Sequence, residues 1–326
     1  MRKNILGRTG LEISEIAFGA GVTGGILIKS DEVTRISALR RALTGGVNWI
    51  DTAPLYGNGA SEEAIGRHLA ALEPRPYVST KVRIERDDKK DLSGAIERSL
   101  TGSLKRLKTD HVALFQLHNQ LGKPVGDRPS LTPADVLSPG GVADAFDRLR
   151  EQRLFLASGI TAAGETDACL EVIHSGRFDC AQVYYNAINP SAAWSRPPKT
   201  WQAQDFSGVL AACRRQNMGV MSIRVWAGGP LASTRRPERL AVLTSGTDVE
   251  NDLRCADAVH RMLGDSYGTR AQIALRFVLG KRDLATRVIG ISTLNDLKEA
   301  LAAVEQGPLP SAAITRLEGL WVTNFR

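Results

Sequence analysis

Asn48-Trp49-Ile50-Asp51-Thr52-Ala53-Pro54-Leu55-Tyr56-Gly57 is a short apolar run that ends in a carboxylate, followed closely by a phenol. A second run, Tyr77-Val78-Ser79-Thr80-Lys81, ends in an ammonium. A third, Val112-Ala113-Leu114-Phe115-Gln116-Leu117-His118-Asn119, ends in an imidazole. Runs of this length, rich in β-branched and aromatic residues, read as buried strands. Polar residues at the C-terminal ends of successive parallel strands are where an α/β barrel keeps its chemistry. Asp51, Tyr56, Lys81 and His118 are therefore the candidate catalytic residues.

Outward from these runs, strand and helix alternate. Arg8-Thr9-Gly10 is a turn between two extended pieces and predicts an N-terminal hairpin. Glu15 to Phe18 reads as a strand. Ser30 is then the expected cap of a helix carrying Val33, Ile36, Leu39 and Leu43, stopped by Gly45-Gly46. A helix through Glu62 to Leu72 follows the Asp51 strand. Ile96, Leu100, Leu104 and Leu107 line one face of the helix after Lys81. Further strands are expected at Phe155 to Thr161, Cys180 to Tyr185, Gly219 to Val225 and Arg287 to Ile291. Eight strands, most followed by an amphipathic helix, predict one closed (β/α)8 TIM barrel over residues 1–326, with additional helices at its C-terminal end.

The bulk numbers agree. The chain has 326 residues, 43% hydrophobic and 24% charged, a composition able to fill a large core. A net charge of +7 without a long Lys/Arg run predicts a mildly basic surface and no nucleic-acid partner. Cys169, Cys180, Cys213 and Cys255 form no Cys-x-x-Cys pair, so reduced buried thiols are expected, as in a cytoplasmic protein. His68, His111, His118, His174 and His260 lack ligand-like spacing, which speaks against a metal-dependent barrel hydrolase. No signal-peptide or membrane-spanning segment is read.

Gly19-Ala20-Gly21-Val22-Thr23-Gly24 matches a dinucleotide-binding glycine pattern after a strand. In that motif the helix opens inside the glycines, so that its N-terminus meets a pyrophosphate. Here the helix cap comes later, and Asp51 lies farther along than the roughly twenty residues a ribose-binding acid requires. The glycines instead predict a small-residue loop that lets backbone approach a cofactor or substrate. Three segments after strands are expected to wall the pocket on the same face: Asn119 to Gly141, Ala227 to about Thr247, and Asn189 to Trp201 with its two tryptophans.

The spacing and types of Asp51, Tyr56, Lys81 and His118, from Leu6-Gly7-Arg8-Thr9-Gly10-Leu11 to Val288-Ile289-Gly290, resemble the aldo-keto reductases. The resemblance implies reduction of a carbonyl, or the reverse oxidation, with NAD or NADP on an eight-stranded barrel. Hydride transfer to a carbonyl creates an alkoxide that needs a proton. A phenol with an ordinary pKa of about 10 is a sluggish donor. A neighbouring ammonium favours the phenolate, and two pKa units correspond to about 2.7 kcal/mol. In this reading Tyr56 moves the proton, Lys81 is the ammonium, Asp51 holds Lys81, and His118 orients the carbonyl oxygen. Partners would be small carbonyl or sugar-like molecules, with no membrane and no readable oligomeric state. The alternative is a non-catalytic, nicotinamide-cofactor-sensing regulatory subunit on the same barrel.

The resemblance also assigns cofactor contacts. The ends of the fifth and sixth strands hold the nicotinamide carboxamide, which points to Thr161 and Gln182. The usual Ser-Asn pair is Thr161-Ala162 here, so one amide contact is missing. Where the seventh strand commonly places a stacking aromatic, this chain has Ile223-Arg224-Val225, and Arg224 is a candidate for the pyrophosphate. After the eighth strand, Gly290 stands where a lysine is often found, and Asp296 where an arginine usually grips the 2′-phosphate of NADP. With Ser292 in the same stretch, these residues tilt the reading toward NAD. Arg287 and Lys298 are the nearby cations able to restore phosphate binding.

Overall fold

The computed structural model describes residues 1–123, 129–235 and 248–326. An antiparallel hairpin opens the chain, β1 (Lys3–Ile5) against β2 (Glu12–Ser14), closed by a 3-10 turn over Gly7–Thr9. Eight parallel strands then close into a barrel. The first four are β3 (Ile16–Gly19), β4 (Trp49–Asp51), β5 (Tyr77–Val82) and β6 (Val112–Leu117). A small separate ladder, β7 (Gln120–Leu121) with β8 (Ser130–Leu131), sits in the long connection after β6. The barrel resumes with β9 (Phe155–Ala162), β10 (Cys180–Tyr184), β11 (Gly219–Ile223) and β12 (Thr286–Gly290), and β12 pairs with β3 to complete the circle.

The helices are α1 (Ile26–Lys29, one turn), α2 (Glu32–Thr44), α3 (Ala60–His68) and α4 (Leu92–Leu107). They continue as α5 (Pro133–Leu137), α6 (Val142–Glu151), α7 (Thr166–His174) and α8 (Val209–Arg215). The last are α9 (Val249–Leu263), α10 (Arg270–Leu279), α11 (Leu294–Gln306) and α12 (Ser311–Val322). Helix α4 shows why the periodicity was readable: Ile96, Leu100, Leu104 and Leu107 are all buried on one face. Its first turn is capped by the Asp91 carboxylate, which accepts from Gly94 N at 3.1 Å. Helix α2 begins one residue later than expected. Asp31, not Ser30, is its cap, accepting from Thr34 N at 2.7 Å, because Ser30 is consumed in ending α1. Helix α3 covers less than the predicted stretch and passes into a 3-10 turn at Leu69–Ala71.

Two cores result from the alternation of strand side chains. Outward residues pack under the helices, as where Phe115, Phe146 and Phe155 meet with Phe115–Phe146 ring centroids 4.7 Å apart. Inward residues at the N-terminal end form a second, apolar plug of Ala17, Trp49, Leu114, Ala157, Cys180 and Met221. Leu6 and Ile13 of the hairpin seal this plug from below. One end of the barrel is thus closed with hydrocarbon, and polar side chains occupy the other. The four cysteines are buried and unpaired with one another. Among the described residues no helix is long and apolar enough to cross a membrane.

Gly24 of the glycine loop packs against the chain's own backbone, a contact distinct from the expected approach to a cofactor or substrate. A Cβ on Gly24 would fall 2.3 Å from the nitrogen and 2.7 Å from the oxygen of Ile291, just past β12. Both are backbone atoms in a closed barrel and cannot swing aside as a side-chain tip would. Gly24→Ala is expected to cost about 1–3 kcal/mol of stability, read as a lower urea midpoint. A midpoint equal to the parent protein's would show that this contact does not hold the loop.

Candidate active site

A cavity of about 670 Å³ opens at the C-terminal ends of the barrel strands. Its floor is built by β4, β5 and β6. Asp51 ends β4, Lys81 lies near the end of β5, and β4–β5 register sets Asp51 beside Ser79. Lys81 is fully buried and its ammonium is saturated: it donates to Asp51 Oδ2 at 2.6 Å, to Thr52 O at 2.8 Å and to Tyr56 Oη at 3.4 Å. Three donors meet three acceptors, the full capacity of an ammonium. Burial pulls the Lys81 pKa down, but the charge of Asp51 and the Tyr56 oxygen push it up, and the net direction is up. A lysine raised in this way stabilises the fold at every pH below about 10.4. That contribution fades only as pH climbs through the folded-state value.

Asp51 is held as firmly from its other side. Its Oδ1 accepts from Ser79 Oγ at 2.7 Å, Gln182 Nε2 at 2.9 Å and Gln116 Nε2 at 3.2 Å. Ser79 Oγ in turn accepts from Trp49 Nε1 at 2.9 Å. Sequence reading did not single out Ser79 or Gln116. A signal was present: each lies two residues before a candidate, Lys81 or His118, on a strand where alternate residues share a face.

Tyr56 sits in the turn beyond β4, its ring 4.9 Å from the Lys81 nitrogen. The His118 ring meets it edge-on, with centroids 5.8 Å apart and an interplanar angle of 85°. Gly21 lies against the hydroxyl end of the Tyr56 ring, where a Cβ would fall 3.5 Å from Cζ and Cε2. Asp51, Tyr56 and His118 line the cavity, and Lys81 lies just beneath. The structure therefore brings all four together.

The residues expected to hold a cofactor also line this cavity: Thr161, Gln182, Arg224, Gly290, Ser292 and Asp296. Three of them differ from expectation in detail. Gln182 donates one amide N–H to Asp51 at 2.9 Å, which leaves its oxygen and its second N–H to meet a carboxamide. Asp296 belongs to the capping box of α11, its Oδ2 accepting from Ser292 N at 3.0 Å and Thr293 N at 2.9 Å, which leaves Oδ1 for any ligand. Arg224 has a left-handed backbone, φ +59°. Its charge also acts on Asp252 of α9, whose carboxyl burial pushes up to about 6. Thr161 Oγ1 is buried without a hydrogen-bond partner, which fits a polar group supplied by a ligand. Glu299 and Gln272 also face the cavity and were not read from sequence, although Glu299 falls one helical step from Asp296.

Two expectations are corrected. Arg287 cannot serve this cavity: it is buried near the start of β12, paired with Ile16, and donates to the carbonyls of Val278 and Lys281 at 2.8 and 2.7 Å. Arg287 and Gly290 share β12, but Val288 and Gly290 line the cavity, whereas alternation along the strand turns Arg287 to the other face and to the carbonyls that end α10. Of the three predicted walls, Asn119–Gly141 contributes Gln120 and Pro129, and the segment from Ala227 contributes Gly228, Gly229, Ala232 and Ser233, with Trp226 just before it. Residues 124–128 and 236–247 of those two segments lie outside the described residues. The Asn189–Trp201 segment is not a wall. Trp194 packs on Trp201 and Trp321, and Trp201 on Phe325, so its aromatics dock the C-terminal helix α12. Among the described residues no cluster of three His, Cys, Asp or Glu side chains is placed to hold a metal.

Comparison with known proteins agrees with this architecture. The family model described as aldo/keto reductase family matches residues 15–322. The oxidoreductase YrpG of Bacillus subtilis is 28% identical, over 94% of this chain and 91% of its own length. L-galactose dehydrogenase of Arabidopsis thaliana is 24% identical, over 92% of this chain and 87% of its own. An aldo-keto reductase from Bacillus halodurans, solved in its holo form, superposes with a TM-score of 0.71 at 22% identity, covering 99% of this chain and 97% of that one. With the match running over nearly the whole barrel, the chain belongs to the aldo/keto reductase family and is an oxidoreductase.

Proposed function

We propose that this protein interconverts a carbonyl and an alcohol, or a cyclic hemiacetal and a lactone, with a nicotinamide cofactor, and that Tyr56 carries the proton. The observation that supports this most is the saturated ammonium of Lys81, buried between Asp51 and the Tyr56 hydroxyl at 2.6 and 3.4 Å. A buried cation directed at a phenol oxygen costs desolvation that packing alone would not favour. It stabilises negative charge on that oxygen, which is what a reversible proton donor requires.

When bound, the nicotinamide ring supplies or accepts the hydride. Thr161 Oγ1 and the Gln182 amide would hold its carboxamide, Arg224 the pyrophosphate, and Asp296 Oδ1 the adenosine ribose. In reduction, the carbonyl oxygen lies between Tyr56 and His118. His118 donates a hydrogen bond that orients and polarises it, and Tyr56 Oη passes its proton as negative charge develops. Lys81 balances the phenolate left behind. Ser79, Gln116 and Gln182 hold the Asp51 carboxylate in place, so Lys81 has one position. The regulatory-subunit alternative predicts cofactor binding without turnover.

Tyr56→Phe is expected to remove most turnover while cofactor affinity stays near that of the parent, because only a transferable proton is lost. Retention of more than about a tenth of kcat would take the proton-donor role away from this residue. Lys81→Met is expected to lower activity and move the residual pH profile to the alkaline side, since the phenol oxygen loses its stabilising cation. An unmoved profile with near-normal rates would refute the coupling.

For the cofactor, we propose NAD over NADP. Asp296 would repel a 2′-phosphate but accept a hydrogen bond from a free 2′-hydroxyl. The burial of Arg287 removes one of the two cations that were able to offset it, leaving Lys298 on the exposed surface of α11. Fluorescence titration is expected to give tighter binding of NADH than NADPH, with Asp296→Arg moving the preference toward NADPH. NADPH binding about ten-fold tighter to the parent protein would overturn the assignment.

A further inference from the structure

We infer that the carbonyl substrate also carries a carboxylate, and that Arg83 is the residue that binds it. This rests on the reading that Tyr56 and His118 receive the carbonyl.

Strand alternation returns Arg83 to the inner side two residues after Lys81, at the rim of the cavity rather than its floor. Its backbone is pinned from both directions. On one side His118 N donates to Val82 O at 2.7 Å. On the other, Ile84 N donates to Asn119 Oδ1 and Ile84 O accepts from Asn119 Nδ2, both at 2.8 Å. Arg83 is therefore held beside the His118-Asn119 pair by three hydrogen bonds between the two segments. It lines the same cavity as Tyr56 and His118.

The charges around the cavity are unevenly distributed. Among the described residues its acidic lining groups are Asp51, Asp296 and Glu299. Asp51 is absorbed by Lys81 and three neutral donors, and the other two lie on α11, at the end assigned to the cofactor. The lining near Tyr56 and His118 is otherwise uncharged, with Leu55, Gln120 and Pro129. A substrate anion placed there meets Arg83 and no opposing carboxylate of the lining.

The guanidinium is only partly engaged. Its Nε donates to Glu85 Oε1 at 2.7 Å, and Nη2 contacts the same oxygen. The side chains are 32% and 48% exposed, so the pair is solvated and weak. A merely solvated surface pair is the plainer explanation. Against it stand the pinned backbone and the shared cavity. With the Nε edge turned to Glu85, the Nη1–Nη2 edge remains, and two parallel donors match the two oxygens of a carboxylate.

The test compares 4-formylbenzoate and 5-oxopentanoate with their methyl esters, in the parent protein, Arg83→Gln and Arg83→Lys. The parent is expected to favour each acid over its ester in kcat/KM by at least about ten-fold. Arg83→Gln should erase that ratio through KM, and Arg83→Lys should restore part of it. A second measurement needs no turnover: calorimetric titration with 4-methylbenzoate and 4-methylbenzamide. The carboxylate is expected to bind the parent at least about ten-fold more tightly than it binds Arg83→Gln, with no such difference for the amide. Equal acid and ester kinetics in the parent, or equal carboxylate binding by parent and Arg83→Gln, would overturn the inference. If no aldehyde turned over but the carboxylate still distinguished parent from variant, the catalytic reading would fall and the anion site would stand.

Discussion

Taking an ammonium and a carboxylate out of water together is costly, and the protein does this at the centre of its barrel with Lys81 and Asp51. An unpaired ion at that depth would carry a penalty of several kcal/mol. The surrounding structure is arranged so that neither ion is unpaired. Lys81 meets three acceptors, and Asp51 meets four donors drawn from β5, β6 and β10. These four donors come from three strands, with β10 lying across the barrel from β4, so the pair is fully satisfied only when the barrel is closed. The site and the fold are therefore linked through one electrostatic condition: the strands must be in register for the charges to be tolerated.

That condition explains the division of the barrel interior. At the hairpin end the inward side chains are apolar and the plug needs no partners, so it is packed by Leu6, Ile13, Trp49 and Met221. Trp49 belongs to both halves, since its ring joins the plug while its Nε1 donates to Ser79. From Ser79 upward every buried polar group must find a partner inside the protein. Thr161 Oγ1 lacks one, and it faces the cavity. A buried hydroxyl left to be completed by a ligand is a natural feature of a binding wall and an anomaly in a packed core.

The upper rim follows a different logic. There the side chains are partly solvated, and their charges act over the length of the cavity rather than within one contact. Negative groups collect on α11, where the capping box turns Asp296 toward the loop it closes. Positive charge on Arg83 stands at the opposite side, next to His118. Arg224, after β11, is a second lining cation, so a ligand spanning the cavity meets positive charge at two places, and charge placement of this kind supplies specificity more than raw affinity.

The sequence by itself determined the barrel and four of its working residues. Apolar runs of strand length alternated with helical periodicity, and each of Asp51, Lys81 and His118 marked a strand end, so no tertiary information was needed to place them on one face. Cavity-lining Thr161, Gln182, Arg224, Gly290, Ser292 and Asp296 were legible through family resemblance. Only the tertiary structure decided what depends on distances between strands. Ser79 and Gln116 look like ordinary polar strand residues until register brings both onto Asp51. Arg287 looks like a phosphate ligand until its depth in β12 shows it bound to carbonyls at the other end of the barrel. Asn189–Trp201 looks like a pocket wall until its tryptophans are found under α12. The physical reason is the same in each case: periodicity fixes which way a side chain faces, whereas its partners are fixed by neighbouring strands and helices that are distant in the chain.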